Sequence, residues 1–155
     1  MKKKIPEASN VTPSDFIIIG GAGDLSLRKI IPALFWRFLD NQINNKSSII
    51  ISVHNKINID QLKTKLMPHC RKAIEKDIEN KDKWSEFFDL ITIVVLDVVT
   101  GLGADNLSIL LKKRIDIKRP FIFYFAISSS LFGHTCRLIE KEKLNLPQSR
   151  LVVEK

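Results

Sequence analysis

A glycine-rich turn is the segment of this sequence whose residue types and spacing could do chemistry. Residues 20–26 read GGAGDLS and lie between an apolar run and a stretch of helical periodicity. At such a junction one glycine permits a tight turn, a second lets the backbone approach a pyrophosphate, and a small third residue lets helix and strand pack closely. Gly20, Gly23 and Ser26 can fill these roles. The segment predicts a phosphate-binding turn at the start of a helix. The alternative is a turn with a structural role only.

The residues after the second apolar run bear on which dinucleotide would bind. In many NAD-binding domains an acidic residue there holds the ribose hydroxyls, whereas a basic residue accepts the extra phosphate of NADP. This chain has His54, Asn55 and Lys56 at these positions, and the first carboxylate that follows them is Asp60. Lys56 or a protonated His54 could contact that phosphate. The sequence therefore favours NADP, with NAD possible, over an exposed loop that binds nothing.

Alternating strands and helices must position these residues. Short runs rich in Ile, Val and Phe predict strands buried on both faces, and amphipathic stretches between them predict helices. We expect strands at 16–19, 49–53, 91–98, 121–127 and from 151, and helices at 25–39, 59–79, 107–113 and 131–143. Pro68 should break or kink the second helix, because a proline inside a helix lacks the N–H donor.

This alternation indicates right-handed crossovers and one parallel sheet covered on both faces. The predicted fold class is α/β, a Rossmann-type doubly wound parallel sheet in three layers, α/β/α. Residues 1–15 are polar and contain two prolines, so we predict a flexible leader there. Residues 16–155 are predicted to form one NAD(P)-binding domain.

Two pairs of potential zinc ligands occur, His69 with Cys70 and His134 with Cys136. Their spacing is not that of paired-ligand motifs, and a doubly wound topology would place their helices on opposite faces of the sheet. We therefore predict no metal site.

The formal net charge of +8 suits anionic partners, which include nucleic acids, acidic membranes, nucleotides and phosphorylated metabolites. In residues 72–83 the lysines alternate with acidic residues, which is typical of a solvated helix face rather than a nucleic-acid surface. No apolar run approaches the roughly 18 residues that a membrane span needs. We expect a cytoplasmic protein without nucleic-acid or membrane partners.

Residues 16–34, FIIIGGAGDLSLRKIIPAL, resemble the opening of glucose-6-phosphate dehydrogenases, in which the glycine turn continues as Gly-Asp-Leu, a basic pair and Pro-Ala-Leu. Further matches follow in order at Trp84, Phe87-Phe88, Asp97, 123–126, 130–133, Leu144-Asn145 and 149–155. The resemblance implies oxidation of glucose 6-phosphate to 6-phosphogluconolactone by hydride transfer to NADP, the opening step of the pentose phosphate pathway.

The resemblance also implies a cofactor site, residue by residue. The implied cofactor-binding residues are Gly20, Gly21, Ala22, Gly23, Asp24, Leu25, Ser26, Leu27, His54, Asn55, Asp97, Val98, Tyr124 and Lys155. Lys155 is the lysine of the family's Glu-Lys-Pro turn, which contacts both nicotinamide and sugar phosphate, so it is also the implied substrate-binding residue. Asn55, or His54 if the loop is shorter, stands where the family usually has an arginine for the NADP phosphate.

No catalytic residue is implied within the chain, since none of His54, His69 and His134 aligns with the family's base. We expect a truncated, cofactor-binding half that lacks the family's second α+β domain and is inactive alone. The alternatives are a non-catalytic NADP-binding module and a gene remnant. The family is homo-oligomeric, and we do not expect this half to reproduce that assembly.

Overall fold

The computed structural model describes residues 10–115 and 119–154. Most of the predicted leader, residues 1–9, lies outside this range, as does Lys155. The strands are β1 (Asp15–Ile19), β2 (Ser48–Val53), β3 (Ile91–Val95), β4 (Phe121–Phe125) and β5 (Arg150–Val153). The helices are α1 (Ile31–Leu39), α2 (Ile59–Glu75), α3 (Asn80–Asp89), α4 (Ala104–Lys112) and α5 (Phe132–Lys141). A π-helical turn (Ser26–Ile30) precedes α1, and a short 3-10 turn (Ser129–Leu131) precedes α5.

The five strands form one parallel sheet in the order β3-β2-β1-β4-β5. This is the order of the first five strands of a doubly wound dinucleotide-binding fold, and it confirms the predicted fold class. In the register, Ile18 of β1 lies beside Ile51 of β2 and Tyr124 of β4. Because the connections after β1 and β4 run to opposite sides of the sheet, the turn that follows β1 lies at the topological switch point.

Each face of the sheet carries its own helix layer. The core on one face includes Phe35 of α1, Leu66 of α2 and Phe87 of α3. The core on the other face includes Leu107 of α4 and Leu138 of α5. The continuous apolar runs are explained by this double burial, since neighbouring side chains of a strand point to opposite cores. No helix in the described part of the chain is long and apolar enough to cross a membrane.

The two candidate zinc-ligand pairs are separated by the sheet. His69 and Cys70 belong to α2, on the first face, and His134 and Cys136 belong to α5, on the second. Cys70 is buried, which raises the pKa of its thiol to about 12, whereas Cys136 is exposed. Within residues 10–115 and 119–154, no group of three or more His, Cys, Asp or Glu side chains is arranged to hold a metal.

Of the two predicted effects of Pro68, a break or a kink in the helix, the break is wrong, because α2 runs unbroken through this residue. Pro68 is exposed, while Leu62, Leu66 and Cys70 bury the opposite side of the helix. Helix formation here is driven by packing of that apolar side, which outweighs one missing backbone donor.

A second difference from the sequence prediction is that α2 ends at Glu75 and a separate α3 follows. The aromatic residues of α3 recur at helical spacing and pack together: the Trp84 and Phe88 rings lie 4.7 Å apart, and Phe35 of α1 lies 5.0 Å from Trp84. Such edge-to-face contacts contribute beyond the area they bury.

The helix after the glycine turn begins with a wide π turn rather than as the regular helix predicted. The N–H of Ile31 donates to the carbonyl of Ser26, five residues back. Pro32 follows directly and has no N–H for a carbonyl in the preceding turn. The wider turn therefore lies where a regular hydrogen-bond ladder would be interrupted in any case.

A buried carboxylate, which we call the Asp15 clamp, joins β1, β2 and the chain before β4 at the amino end of the sheet. Asp15 is fully buried and accepts hydrogen bonds from Arg114 Nε (2.8 Å), Arg114 Nη2 (2.9 Å), Arg119 Nη1 (3.1 Å) and the Ser48 N–H (3.0 Å). Both guanidinium groups also donate to the Lys46 carbonyl, at 3.0 and 2.8 Å. Every oxygen of the carboxylate is thus paired, which a buried charge requires.

Candidate functional site

The glycine turn leaves the carboxyl end of β1 in a conformation that only glycine adopts readily. Gly20 has a φ of 84°, in the left-handed region. A Cβ on Gly20 would lie 2.5 Å from the Ala126 carbonyl oxygen and 2.6 Å from Ile127 Cγ2. Gly20 is therefore fixed both by its backbone angle and by contact with the segment that follows β4.

Gly21 allows the turn to pack closely against β2, a role that the sequence did not reveal. Its N–H donates to the Ser52 carbonyl at 2.8 Å, and the Gly20 N–H donates to Ser52 Oγ at 3.3 Å. A Cβ on Gly21 would lie 2.0 Å from Ile51 Cγ2. The close approach depends on which strand neighbours β1, so pattern reading along one chain could not assign it.

Ser26 occupies the third, small position of the motif and also ties the turn together. It is fully buried, its Oγ donates to the Gly20 carbonyl at 2.9 Å, and the Gly23 N–H donates to the same carbonyl at 3.1 Å. The first intrahelical bond runs from the Leu27 N–H to the Gly23 carbonyl at 3.0 Å. The N–H groups just before Leu27 therefore have no intrahelical acceptor and can serve an anion.

The remaining turn residues divide between core and solvent. Ala22, Leu25 and Leu27 pack against the core on the α1 face. Asp24 is exposed and pairs with Arg28 at 3.0 Å. The exposed Gly23 and Asp24 thus border the part of the turn that a ligand could reach.

Asp97 organises the loop that follows β3. Its Oδ1 accepts from the N–H groups of Val99 (2.8 Å) and Thr100 (3.1 Å), and its own carbonyl accepts from the Gly101 N–H at 2.8 Å. The hydrogen bond from Thr100, followed by that from Val99, lowers the pKa of the Asp97 carboxyl group. These bonds close a tight loop, which is why β3 ends at Val95 rather than at Val98 as predicted.

A cleft of about 310 Å³ lies between the ends of β1, β2 and β3. Its lining includes Gly20, Ser52, His54, Asp97 and Val98. The cleft is at the carboxyl edge of the sheet, beside the central strand, where doubly wound folds bind their ligands. Four of the predicted cofactor residues, Gly20, His54, Asp97 and Val98, are brought together here, and the exposed Asn55 and Lys56 follow His54.

Comparison with known proteins identifies the origin of this arrangement. The family model described as glucose-6-phosphate dehydrogenase, NAD binding domain, matches residues 17–155. This chain belongs to the glucose-6-phosphate dehydrogenase family. The glycine turn, the cleft, most of β1 and the other four strands lie within the matched residues.

Relatives in the glucose-6-phosphate dehydrogenase family are similar over nearly the whole chain. Glucose-6-phosphate 1-dehydrogenase of Gluconobacter oxydans (strain 621H) is 30% identical over 94% of the chain, that of Rhizobium meliloti (strain 1021) is 28% identical over 94%, and the cytoplasmic isoform of Solanum tuberosum is 28% identical over 97%. The chain spans only 30%, 29% and 30% of these proteins.

A solved structure of glucose-6-phosphate dehydrogenase in complex with its substrate glucose-6-phosphate shares the fold. It superposes with a TM-score of 0.74 at 22% sequence identity, and the match covers 99% of this chain and 31% of the solved chain. At this identity the likeness supports the doubly wound architecture.

Tyr124, a cofactor residue implied by the resemblance to glucose-6-phosphate dehydrogenases, does not line the cleft. Tyr124 belongs to the middle of β4 and lines a separate groove of about 360 Å³ on the α1 face, with Phe16, Ile18 and Val152. Alternation along β4 explains this placement, because Phe123 and Phe125 take the opposite core. Lys155 lies outside the described residues.

Alkaline titration should show that the Tyr124 phenol resists ionisation in this glucose-6-phosphate dehydrogenase domain. Partial burial, the hydrogen bond to Glu154 Oε1 (2.7 Å) and the negative charge of that carboxylate raise the pKa from 10.0 to about 12. Because the pKa is higher in the folded state, Tyr124 contributes to the free energy of unfolding. This contribution is fully present below about pH 10 and is lost as the pH rises toward about 12. Tyr124 is the chain's single tyrosine, so phenolate absorbance reports it alone.

The matched control is Glu154→Gln, which removes the charge while keeping an amide oxygen as acceptor. Its titration midpoint should fall between those of the folded protein and of the protein unfolded in urea. A folded protein whose tyrosine titrates near 10, as in the unfolded chain, would contradict the assignment.

Proposed function

We propose that this chain provides the NADP-binding part of a glucose-6-phosphate dehydrogenase, and that the whole protein oxidises glucose 6-phosphate in the pentose phosphate pathway. The observation that carries the proposal is the glycine turn: Gly20 at a φ of 84°, followed by an exposed helix start, beside a cleft at the carboxyl edge of the sheet. The names of the relatives support the substrate class. A cytoplasmic location, as named for the Solanum tuberosum relative, is part of the proposal.

The turn and the β2 end have distinct tasks in cofactor binding. The N–H groups at the helix start hold the pyrophosphate, since they lack intrahelical acceptors and lie at the positive end of the helix dipole. His54, Asn55 and Lys56 follow β2, where they face the ribose and its 2′-phosphate. The bound nicotinamide would accept hydride from the sugar. Because the chain spans less than a third of its relatives, we expect binding rather than turnover from these 155 residues.

Isothermal titration of the purified chain with NADP and, separately, with NAD tests the proposal. We expect saturable NADP binding tighter than about 100 μM, or roughly −5.5 kcal/mol, and weaker NAD binding. No binding of either nucleotide to a chain shown by circular dichroism to be folded would refute a cofactor-binding role. Equal or tighter binding of NAD would refute the preference for NADP.

The substitution Asn55→Arg sharpens this test, since it supplies the guanidinium that the family usually places here. A charge-assisted hydrogen bond contributes about 1.5 to 3 kcal/mol, so NADP affinity should rise roughly tenfold to a hundredfold while NAD affinity is unchanged. Asn145→Arg adds the same charge at an exposed position away from the cleft and should leave both affinities unchanged. A similar gain from both variants would attribute the effect to net charge rather than to a 2′-phosphate contact.

A further inference from the structure

The cleft at the ends of β1, β2 and β3 has a polar side and an apolar side. Ser52 and His54 line it from β2, and Val98 and Val99 line it from the loop after β3. The helix start that can hold the pyrophosphate follows β1, and in doubly wound folds the end of β2 holds the adenosine ribose. The strands lie in the order β1, β2, β3, so the adenine base of a bound dinucleotide comes next, beside the loop after β3.

Hydrogen bonds fix the loop of residues 97–102, which forms this apolar side. The Asp97 N–H donates to the Leu102 carbonyl at 2.9 Å, and the Gly101 N–H donates to the Asp97 carbonyl at 2.8 Å. Asp97 Oδ1 accepts from the N–H groups of Val99 and Thr100, at 2.8 and 3.1 Å. The carboxylate of Asp97 thereby holds Val99 at the edge of the cleft before any ligand binds.

Val99 offers a ligand more apolar surface than the rest of the cleft does. It lines the cleft and is 55% exposed. The other apolar lining residues are buried or half-buried, and they are Ile19, Leu96, Val98, Ile127 and Leu131. A nucleic-acid base packs well on apolar side chains, and covering this surface removes it from water. Because the loop is already ordered, little conformational freedom is lost when a base packs on it.

We propose that Val99 is the residue on which the adenine base packs, and that Asp97 is a positioning residue that holds Val99 at the cleft. This inference rests on the proposed function and adds the part of the site that recognises the base. NADP and NAD share the adenine, so Val99 contributes to the affinity for both and not to the preference between them. A ligand that keeps the adenosine half without nicotinamide, 2′-phospho-ADP-ribose, should bind within about threefold of NADP, whereas NMN should not saturate the chain up to about 1 mM.

The substitution Val99→Ser tests the adenine contact. It should weaken the binding of NADP, NAD and 2′-phospho-ADP-ribose by the same factor, about fivefold to tenfold, because all three ligands carry the adenine. The ratio of the NADP and NAD affinities should stay unchanged. Leu102→Ser is the matched control, since Leu102 belongs to the same loop and is 68% exposed but does not line the cleft. It should leave all three affinities unchanged.

Two substitutions of Asp97 test its positioning role. Asp97→Ala removes the acceptor for the Val99 N–H and should weaken binding about as much as Val99→Ser does. Asp97→Asn keeps an oxygen acceptor and should bind within about twofold of the wild type. The double variant Asp97→Ala/Val99→Ser should bind no more than about twofold more weakly than Asp97→Ala alone, because residues that act through one contact do not have additive effects.

Isothermal titration, with circular dichroism to show that each variant is folded, measures these outcomes. Full NADP affinity in Val99→Ser, or an equal loss in Leu102→Ser, would overturn the adenine contact and leave the proposed function standing. Additive losses from Asp97→Ala and Val99→Ser would overturn the positioning role, because Asp97 would then act on the ligand directly. A folded wild-type chain that binds neither NADP nor 2′-phospho-ADP-ribose would overturn this inference together with the proposed function.

Discussion

The substitution Gly20→Ala should destabilise the fold by about 2 to 5 kcal/mol and reduce NADP affinity of the folded fraction. Adopting the left-handed conformation costs an alanine about 1 to 2 kcal/mol. The added Cβ would also lie 2.5 Å from the Ala126 carbonyl oxygen, and such overpacking costs typically about 1 to 3 kcal/mol more. Urea unfolding measures the loss of stability, and titration with NADP measures the loss of affinity.

The affinity should fall because the Gly20 carbonyl organises the whole turn. It accepts both Ser26 Oγ and the Gly23 N–H, so displacing Gly20 from Ala126 displaces the N–H groups that face the pyrophosphate. A site that holds its ligand by several aligned donors loses binding when their geometry moves by a fraction of an ångström.

Gly101→Ala is the matched control. Gly101 has a φ of 80°, close to that of Gly20, but a Cβ there would meet nothing within 4 Å. Gly101→Ala should therefore lower the free energy of unfolding only by the cost of the left-handed conformation, about 1 to 2 kcal/mol. If the two variants lost equal stability, the contact with Ala126 would not constrain the turn, and the stated cause would be wrong.

The order of elements could be predicted from the sequence because each strand is a short apolar run and double burial requires just that pattern. The ends of the elements could not be predicted equally well. β3 stops at Val95 because the side chain of Asp97 captures loop N–H groups, and α2 continues past Pro68 because its buried side is apolar. In each case a contact between distant or competing groups overrides the local preference.

The glycine turn was predictable as a site because its chemistry is local: a positive φ, a small residue and a helix start within seven positions. The role of Gly21 was not, since it depends on Ile51 of a neighbouring strand. The position of Tyr124 illustrates the same limit. Alternation within β4 places it on the α1 face, whereas the cleft opens among the ends of β1, β2 and β3.

The Asp15 clamp supports the largest stability prediction that does not touch the site. Asp15→Asn keeps the size of the side chain and an oxygen for the Ser48 N–H, but it removes the charge that Arg114 and Arg119 share. Removing one partner of a buried ion pair costs about 3 to 5 kcal/mol. Because the arginine side chains are 29% and 17% exposed, we expect a loss near the lower end of that range. Urea unfolding should show a lower midpoint with an unchanged slope.

The contrast with Asp24→Asn separates burial from ion pairing as the cause. Asp24 also pairs with an arginine, Arg28, but the two side chains are 82% and 64% exposed, and exposed pairs contribute about 0 to 1 kcal/mol. Equal losses from the two variants would contradict the account of the Asp15 clamp.

Asp15 and Gly20 flank opposite ends of β1, roughly 15 Å apart at the usual rise per residue. NADP affinity of folded Asp15→Asn should therefore match the wild type, because the clamp stabilises the strand without shaping the turn at its far end.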